Sequence, residues 1–211
     1  MTDLQLYNKA ANAYYRAHLT GEAVRCYRLG QAHRRAAELN VSLGDYREAA
    51  IDFERAGMAE RAAWILADQV EDPGAARAVV ANIGTAPGPG KPGSVSSPAA
   101  SLPLPIRLIL ARCAITEGSP PQSIIEVIGD VCAELADSSI PYDRTMQAWA
   151  VALAEHVQRY DQAALIFAAA VRGRRPYAAR YWNDWATRVL KLEADLIIPA
   201  VPEPPRPPAG D

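Results

Sequence analysis

Cysteine is scarce in this chain of 211 residues, and the three that occur lie far apart. An odd number of widely spaced cysteines cannot form a complete disulfide framework, so we expect free thiols and a reducing compartment. Small buried hydrophobic side chains are the simplest role for these residues. They are Cys26, Cys113 and Cys132.

The chain also lacks the residue patterns of the common metal and catalytic sites. No histidine stands near a second His or Cys at the spacing of metal ligands. The histidines are His18, His33 and His156. There is no nucleophile elbow, zinc-protease helix or dinucleotide-binding fingerprint. Gly90-Lys91 is superficially similar to a phosphate-binding loop, but Pro92 follows where Ser or Thr is required. We therefore expect a protein that is not an enzyme and that holds no metal and no cofactor.

Excess charge and long apolar runs are absent as well. The formal net charge of -2 gives no overall attraction to nucleic acid or to an anionic membrane. Charge or proline interrupts each apolar stretch well short of the roughly 20 residues of a transmembrane helix. The N-terminus has no basic patch followed by an apolar run, so we expect no signal peptide. With few lysines and much alanine and proline, we interpret the composition as bacterial. We expect a cytoplasmic protein with no membrane partner.

The chain is rich instead in alanine-containing segments with helix start and stop signals. Half of the residues are hydrophobic, and beta-branched runs are scarce, which favours helix over sheet. Gly44 is suited to a left-handed helix end. Asp45 and Glu48 have the spacing of a capping box at the start of the next helix. We therefore expect two short helices to meet at Gly44 and Asp45.

A spacing of small and aromatic residues follows this turn and occurs three times along the chain. The pairs are Ala23 with Tyr27, Ala49 with Phe53, and Ala163 with Phe167. Residues four apart lie on one helix face, where alanine lets a neighbouring helix approach and the ring fills the remaining space. The first two pairs are 26 residues apart. The spacing therefore predicts a repeated helical unit.

The Gly-Asp-Tyr turn, followed by Ala, an aromatic residue and Ala, resembles the second helix of a tetratricopeptide repeat. A tetratricopeptide unit has about 34 residues. Because the offset here is shorter, residues 4–83 are more similar to the compact helical repeats of vesicle-fusion adaptor proteins and related solenoids. The resemblance implies an all-α fold, a tetratricopeptide-like α-solenoid of roughly ten or eleven short antiparallel helices.

Composition divides the chain into four parts. Residues 1–84 read as N-terminal helical repeats, and residues 104–198 as C-terminal helical repeats. Between them, residues 85–103 are rich in Gly, Pro and Ser and predict a flexible linker. Residues 199–211 are rich in proline and predict a disordered tail. The pattern leaves open whether the two helical halves form one solenoid or two domains.

The last predicted helix, after Pro176, carries an aromatic cluster. Tyr177, Tyr181 and Trp185 recur every four residues and define one face, from which Trp182 stands apart. Either the helix buries this face on the preceding repeat, or it presents an exposed aromatic patch to a partner. Arginines surround the cluster and raise the alternative of nucleic-acid binding, which the slightly acidic chain disfavours. They are Arg172, Arg174, Arg175, Arg180 and Arg188.

A second candidate site lies near the N-terminus. Asn8 and Asn12 are one turn apart on the first helix, and Arg34 and Arg35 follow on the third. Some tetratricopeptide domains hold the terminal carboxylate of a peptide with Asn and basic residues on successive first helices. Asn12 matches that pattern, whereas Asn8 stands where Lys or Arg would. These residues therefore have two interpretations, capture of a carboxylate or ordinary polar side chains exposed to solvent. The candidate partner-binding residues are Asn8, Asn12, Arg34, Arg35, Tyr181, Trp182 and Trp185.

These features favour a non-catalytic adaptor or scaffold that presents a helical-repeat groove to a protein or peptide partner. One alternative is a regulatory or ligand-sensing helical domain of a bacterial signalling or transcription system. Another is nucleic-acid binding through the segment of arginine and aromatic residues near the C-terminus.

Overall fold

A computed structural model describes residues 2–85, 102–118 and 122–192. Within these ranges the chain forms eleven helices and no strand, which confirms the all-α prediction. None of the helices in these ranges is both long enough and apolar enough to cross a membrane. The chain divides into two units, Met1–Ser119 and Pro120–Asp211. Most of the predicted linker and all of the predicted tail lie outside the described residues, as do the prolines at 120 and 121.

In its described residues, 2–85 and 102–118, the first unit contains seven helices, each packed against the one that follows. The seventh helix packs on both the fifth and the sixth, so it belongs to the first unit, although the sequence grouped it with the helices that follow. The predicted domain boundaries themselves remain a prediction. The helices are α1 (Asp3–Arg16), α2 (Thr20–Leu29), α3 (His33–Leu43), α4 (Tyr46–Arg55), α5 (Ala59–Asp68), α6 (Pro73–Thr85) and α7 (Leu104–Thr116).

A 13-residue period governs α2 to α5. Successive helices begin 13 residues apart, at Thr20, His33, Tyr46 and Ala59. The fourth residue of each is an alanine with no exposed surface: Ala23, Ala36, Ala49 and Ala62. A side chain of one carbon at this position lets the neighbouring helix approach closely without leaving a void. The 26-residue offset in the sequence is therefore two helices of a helical-repeat-like array.

In the part of the chain that the structure describes, six turns between helices have the same hydrogen-bond pattern, the Schellman motif, whose central residue is left-handed. At the α3–α4 turn, for example, Gly44 has a φ of 80° and the Asp45 amide donates to the Asn40 carbonyl at 2.9 Å. Gly44 thus ends its helix as predicted. The left-handed residues of the six turns are His18, Gln31, Gly44, Gly57, Gln158 and Arg174.

The predicted capping box at the start of α4 is wrong. Asp45 occupies the N-cap position, but its side chain accepts no capping hydrogen bond. The Glu48 carboxylate instead accepts from Arg28 Nη2 at 2.7 Å, because α2 lies close enough to compete for it. A side-chain cap does occur before α6, where the Ala75 amide donates to Asp72 at 3.0 Å and lowers the pKa of that carboxyl.

Buried ionic groups join the helices of the first unit. Asp52 of α4 is fully buried and is bound by Arg28 of α2 and by the Asn40 amide of α3, the latter at 2.9 Å. Its hydrogen bond to Arg28 raises the pKa of that guanidinium. Arg112 Nε of α7 donates to Asp68 Oδ1 of α5 at 2.9 Å. These pairs fix which helices meet, since a displaced helix would leave a buried charge unpaired.

Over residues 122–192, which the structure describes, the second unit contains four helices, α8 (Gln122–Ala136), α9 (Arg144–His156), α10 (Tyr160–Arg172) and α11 (Ala178–Val189). The central helix, α10, packs against α8, α9 and α11. One apolar face of α8 packs into the unit, since Ile124, Ile128, Val131 and Leu135 follow one another at steps of four, three and four residues and are all buried. The predicted pair on α10, Ala163 and Phe167, is buried as well.

The end of α8 is held by a residue from the α10–α11 turn. The buried Arg175 guanidinium donates four hydrogen bonds to backbone carbonyls at this end, at 2.6 to 2.8 Å. The acceptors are the carbonyls of Glu134, Leu135, Asp137 and Ile140. A cation satisfies the unpaired carbonyls at a helix C-terminus and the negative end of its dipole. The contact fixes the turn from which α11 begins.

Candidate functional site

A cleft of about 390 Å³ opens in the second unit between α9 and α11. Both helices pack on α10, and within the described residues they make no backbone packing contact with each other. Side chains on one face of α9 form the first wall, a face of α11 forms the second, and Phe167 of α10 lies beneath. The lining residues are Arg144, Gln147, Ala148, Val151, Ala152, Glu155, Phe167, Tyr181, Asp184, Trp185 and Arg188.

A cation and an aromatic ring meet at the end of the cleft where α9 begins. The Arg144 guanidinium carbon lies 4.2 Å from the centroid of the Tyr181 ring. This geometry is a cation–π contact, in which the ring face attracts the charge without neutralising it. Arg144 is exposed and Tyr181 is half-buried, so the pair forms an accessible rim.

At the other end of the cleft, the charged groups are paired with one another. Glu155 Oε1 of α9 accepts from Trp185 Nε1 at 2.6 Å and from Arg188 Nη2 at 3.1 Å, both on α11. These bonds satisfy the indole donor and compensate the Arg188 charge. Glu155 therefore joins the two walls through hydrogen bonds and an ion pair, whereas Arg144 and Tyr181 join them through a cation–π contact that leaves the guanidinium charge unpaired.

The apolar floor is a cluster of aromatic rings. The Phe167 centroid lies 5.5 Å from the Trp185 ring and 5.6 Å from the Trp182 ring, and the two indoles are 5.6 Å apart. Tilted rings at such distances pack favourably through their edges and faces. Ala148 and Ala152, four residues apart on α9, leave the space above this floor open.

Gln147 is the buried polar residue of the cleft wall, with 3 % of its surface exposed. Its Oε1 accepts from the Tyr142 hydroxyl at 2.6 Å, whereas its buried Nε2 has no hydrogen-bond partner. Burial also raises the pKa of Tyr142, which keeps its hydroxyl protonated. An unpaired buried amide group costs about 1–3 kcal/mol.

The three predicted C-terminal site residues lie at this cleft or beneath it. Tyr181 and Trp185 line it, and Trp182 packs below it against Phe167. The predicted common face of Tyr177, Tyr181 and Trp185 is wrong. Tyr177 precedes α11 in a left-handed conformation and is exposed, whereas the buried face of α11 consists of Ala178, Trp182, Trp185 and Ala186.

The four predicted N-terminal residues fall into two groups. Asn8 and Asn12 bind α2, since Asn8 Nδ2 donates to the Gly30 carbonyl at 3.1 Å and Asn12 Oδ1 accepts from the Tyr27 hydroxyl at 2.7 Å. Arg34 pairs with Glu38 on its own helix at 2.8 Å. Arg35 lies 6.0 Å from the Tyr27 ring centroid and, with Tyr15, lines a smaller cleft of about 240 Å³.

Sequence reasoning missed Arg144, Gln147 and Glu155. All three lie on one face of α9, since Gln147 follows Arg144 by three residues and Glu155 follows Gln147 by eight. A polar edge next to the apolar face was the available signal. That signal does not distinguish a groove wall from a solvated helix face, because the difference depends on where α11 packs in the folded structure.

Within the described residues, no group of three His, Cys, Asp or Glu side chains is arranged to hold a metal ion. On α8, Cys132 is half-buried, and desolvation raises the pKa of its thiol to about 11, so the thiol is protonated at neutral pH. The aromatic floor and the charged groups at the rim can recognise a bound group.

No protein-family model, no curated protein and no solved structure matches this chain.

Proposed function

We propose that this protein is a non-catalytic interaction module, an adaptor or scaffold that binds a segment of another protein in the cleft between α9 and α11. The observation that carries the proposal is the cleft itself, with an aromatic floor and an exposed cation–π pair at its rim. Aromatic and arginine side chains around a concave surface are typical of the residues that dominate protein interfaces.

The proposal includes a tetratricopeptide-like solenoid as the architecture. Arg144 and Tyr181 lie near the starts of α9 and α11, and Glu155 meets Trp185 and Arg188 further along both helices. The two walls therefore run in the same direction, with α10 returning between them. Successive first helices of a helical repeat line a groove in this way. The shared turn motif and the 13-residue period of the first unit support the same architecture.

A second candidate function, a ligand-sensing helical domain, is favoured by the size of the cleft. A volume of about 390 Å³ lies in the range of small-molecule sites, which are commonly apolar with a few polar groups. Three of the five arginines that raised nucleic-acid binding make contacts within the second unit. Arg175 binds carbonyls, Arg188 pairs with Glu155, and Arg180 lies 3.8 Å from Asp184.

The test is affinity capture with the full chain from a lysate of its native host, followed by mass spectrometry. Ala148→Trp fills the cleft from an exposed position of its wall, and Ala179→Trp places the same side chain on α11 outside the cleft. We expect a protein partner that the wild type and Ala179→Trp both retain and that Ala148→Trp loses. A partner retained by all three would place binding elsewhere. Thermal stabilisation by a metabolite, with no partner recovered, would favour the ligand sensor.

A further inference from the structure

The charges around the cleft are compensated at one end and not at the other. Glu155 and Arg188 form an ion pair at 3.1 Å, and Asp184 lies 3.8 Å from Arg180. Among the described residues, no carboxylate forms an ion pair with Arg144, whose guanidinium lies over the Tyr181 ring. The neighbouring Asp143 carboxylate is engaged in capping α9, where it accepts from the Thr145 amide at 2.7 Å. An occupant with a carboxylate near Arg144 would complete the charge pairing.

The space next to Arg144 is apolar. One turn along α9, Ala148 and Val151 face the Trp185 and Phe167 rings across the cleft. About 390 Å³ is enough for one or two aliphatic side chains, and burying apolar surface against these rings is favourable. The occupant therefore needs an apolar group and a carboxylate that are separated by about the length of one turn of α9.

Gln147 lies between these two places and has an unpaired amide group. Its amide and the Tyr142 hydroxyl can exchange donor and acceptor roles, so either orientation leaves one amide atom unpaired. A peptide backbone offers both a carbonyl acceptor and an N–H donor, and it satisfies Gln147 in either orientation after a small rotation of the side chain. A simple fatty or aromatic acid provides only the acceptor.

Resting on the function proposed above, we propose that the occupant is a peptide segment of a partner protein with an aliphatic residue close to an Asp or Glu. The aliphatic side chain enters the cleft above Phe167 and Trp185. The carboxylate pairs with the Arg144 guanidinium, and the backbone between them hydrogen-bonds to Gln147. The partner is thereby recognised by an acidic–aliphatic motif.

The experiment is selection of a phage-displayed library of random peptides on the full chain, followed by affinity measurements with fluorescent synthetic copies of the selected peptides. We expect enrichment of Asp or Glu within a few positions of Leu, Ile or Val. Arg144→Glu should weaken these peptides by on the order of tenfold or more and should shift the selection toward Lys and Arg. Arg174→Glu reverses an exposed charge of the same unit outside the cleft and should change neither result.

Two failures are distinguishable. If peptides are selected and Ala148→Trp abolishes their binding, but they show no acidic preference and Arg144→Glu binds them equally, the cleft binds peptides and the motif is wrong. If no peptide is selected, or if Ala148→Trp binds every selected peptide as well as the wild type, the proposed function of the cleft fails together with the motif. Circular dichroism and thermal melting of each variant establish that it is folded.

Discussion

The Arg28 guanidinium on α2 donates hydrogen bonds to both carboxylate oxygens of Asp52 on α4. Arg28 Nε lies 3.0 Å from each oxygen, and Nη2 lies 2.8 Å from Oδ2. Asp52 has no exposed surface, and the Asn40 amide of α3 completes its hydrogen bonds. Charge-assisted, bidentate bonds of this kind fix orientation as well as distance. Three consecutive helices of the array are therefore locked in one arrangement by a single buried carboxylate.

Removal of the Arg28 charge should destabilise the fold strongly. Arg28→Met keeps the aliphatic stem but leaves Asp52 buried without its main counter-charge, at a cost of about 2–4 kcal/mol in the free energy of unfolding. Urea unfolding followed by circular dichroism measures the change. Arg25→Met is the matched control, because Arg25 is exposed and lies 3.9 Å from Glu22, and it should change the stability by less than about 0.5 kcal/mol. If the two substitutions changed the free energy of unfolding equally, the buried Arg28–Asp52 pair would contribute no more to stability than the exposed Arg25–Glu22 pair.

Asp52 also illustrates what the sequence leaves undetermined. The 26-residue comparison correctly placed Ala49 and Phe53 on a buried face, because their spacing is a property of one helix. A carboxylate next to that face is typical of a solvated edge. It becomes a core residue because Arg28 and Asn40 are supplied by two other helices. Contacts of this kind depend on tertiary packing, which local spacing does not contain.

The turns were predictable where glycine marks them and hidden where it does not. Gly44 and Gly57 identify their left-handed positions, whereas His18, Gln31 and Gln158 adopt the same conformation with side chains.

The cleft could not be predicted from the sequence for a related reason. Its rim pairs Arg144 with Tyr181 across two helices that are far apart in sequence, and the choice of partners follows from how α9 and α11 pack on α10.

Close approach of two backbones makes Gly173 essential to the second unit. A Cβ atom at this position would lie 1.9 Å from the Leu135 carbonyl oxygen at the end of α8. Because backbone cannot move aside as a side chain can, Gly173→Ala should cost about 3 kcal/mol or more. Thermal or urea unfolding measures the loss. Gly129→Ala is the matched control, since Gly129 is an exposed residue of α8 with open space around it, and it should raise the stability by about 0.5–1 kcal/mol. A Gly173→Ala variant as stable as the wild type would mean that α8 and α10 are further apart.

The stability of α10 should depend on pH through Asp161. Arg159 donates hydrogen bonds at 2.8 and 2.7 Å to the two oxygens of this carboxylate and holds its pKa well below the usual range. A lowered folded-state pKa contributes stability above the unfolded pKa of about 3.9, and this contribution is lost as the pH falls through the folded value. The wild type should therefore lose more stability than Asp161→Asn between neutral pH and about pH 2.

Unfolding curves collected across this pH range test the prediction. Arg159→Gln removes the donor and should reduce the pH dependence in the same way as Asp161→Asn. The double variant should show no further reduction, because both substitutions remove one interaction. Parallel pH profiles for the wild type and Asp161→Asn would assign the acid sensitivity to other carboxylates.

The final prediction exchanges the two kinds of residue found in the left-handed turn position. Gln158 has a φ of 56° between α9 and α10, and Gly57 has a φ of 72° between α4 and α5. A side chain in this conformation costs roughly 1–2 kcal/mol, and glycine avoids the cost but loses more chain entropy on folding. Gln158→Gly should therefore raise the free energy of unfolding by up to about 1 kcal/mol. Gly57→Ala should lower the free energy of unfolding by about 1 kcal/mol. A Cβ atom at this position meets no atom within 4 Å, so the cost comes from the backbone conformation and not from a steric clash. Urea unfolding of both variants measures these changes. A Gly57→Ala variant as stable as the wild type would contradict the prediction, because it would show that a residue with a side chain adopts this turn at no cost.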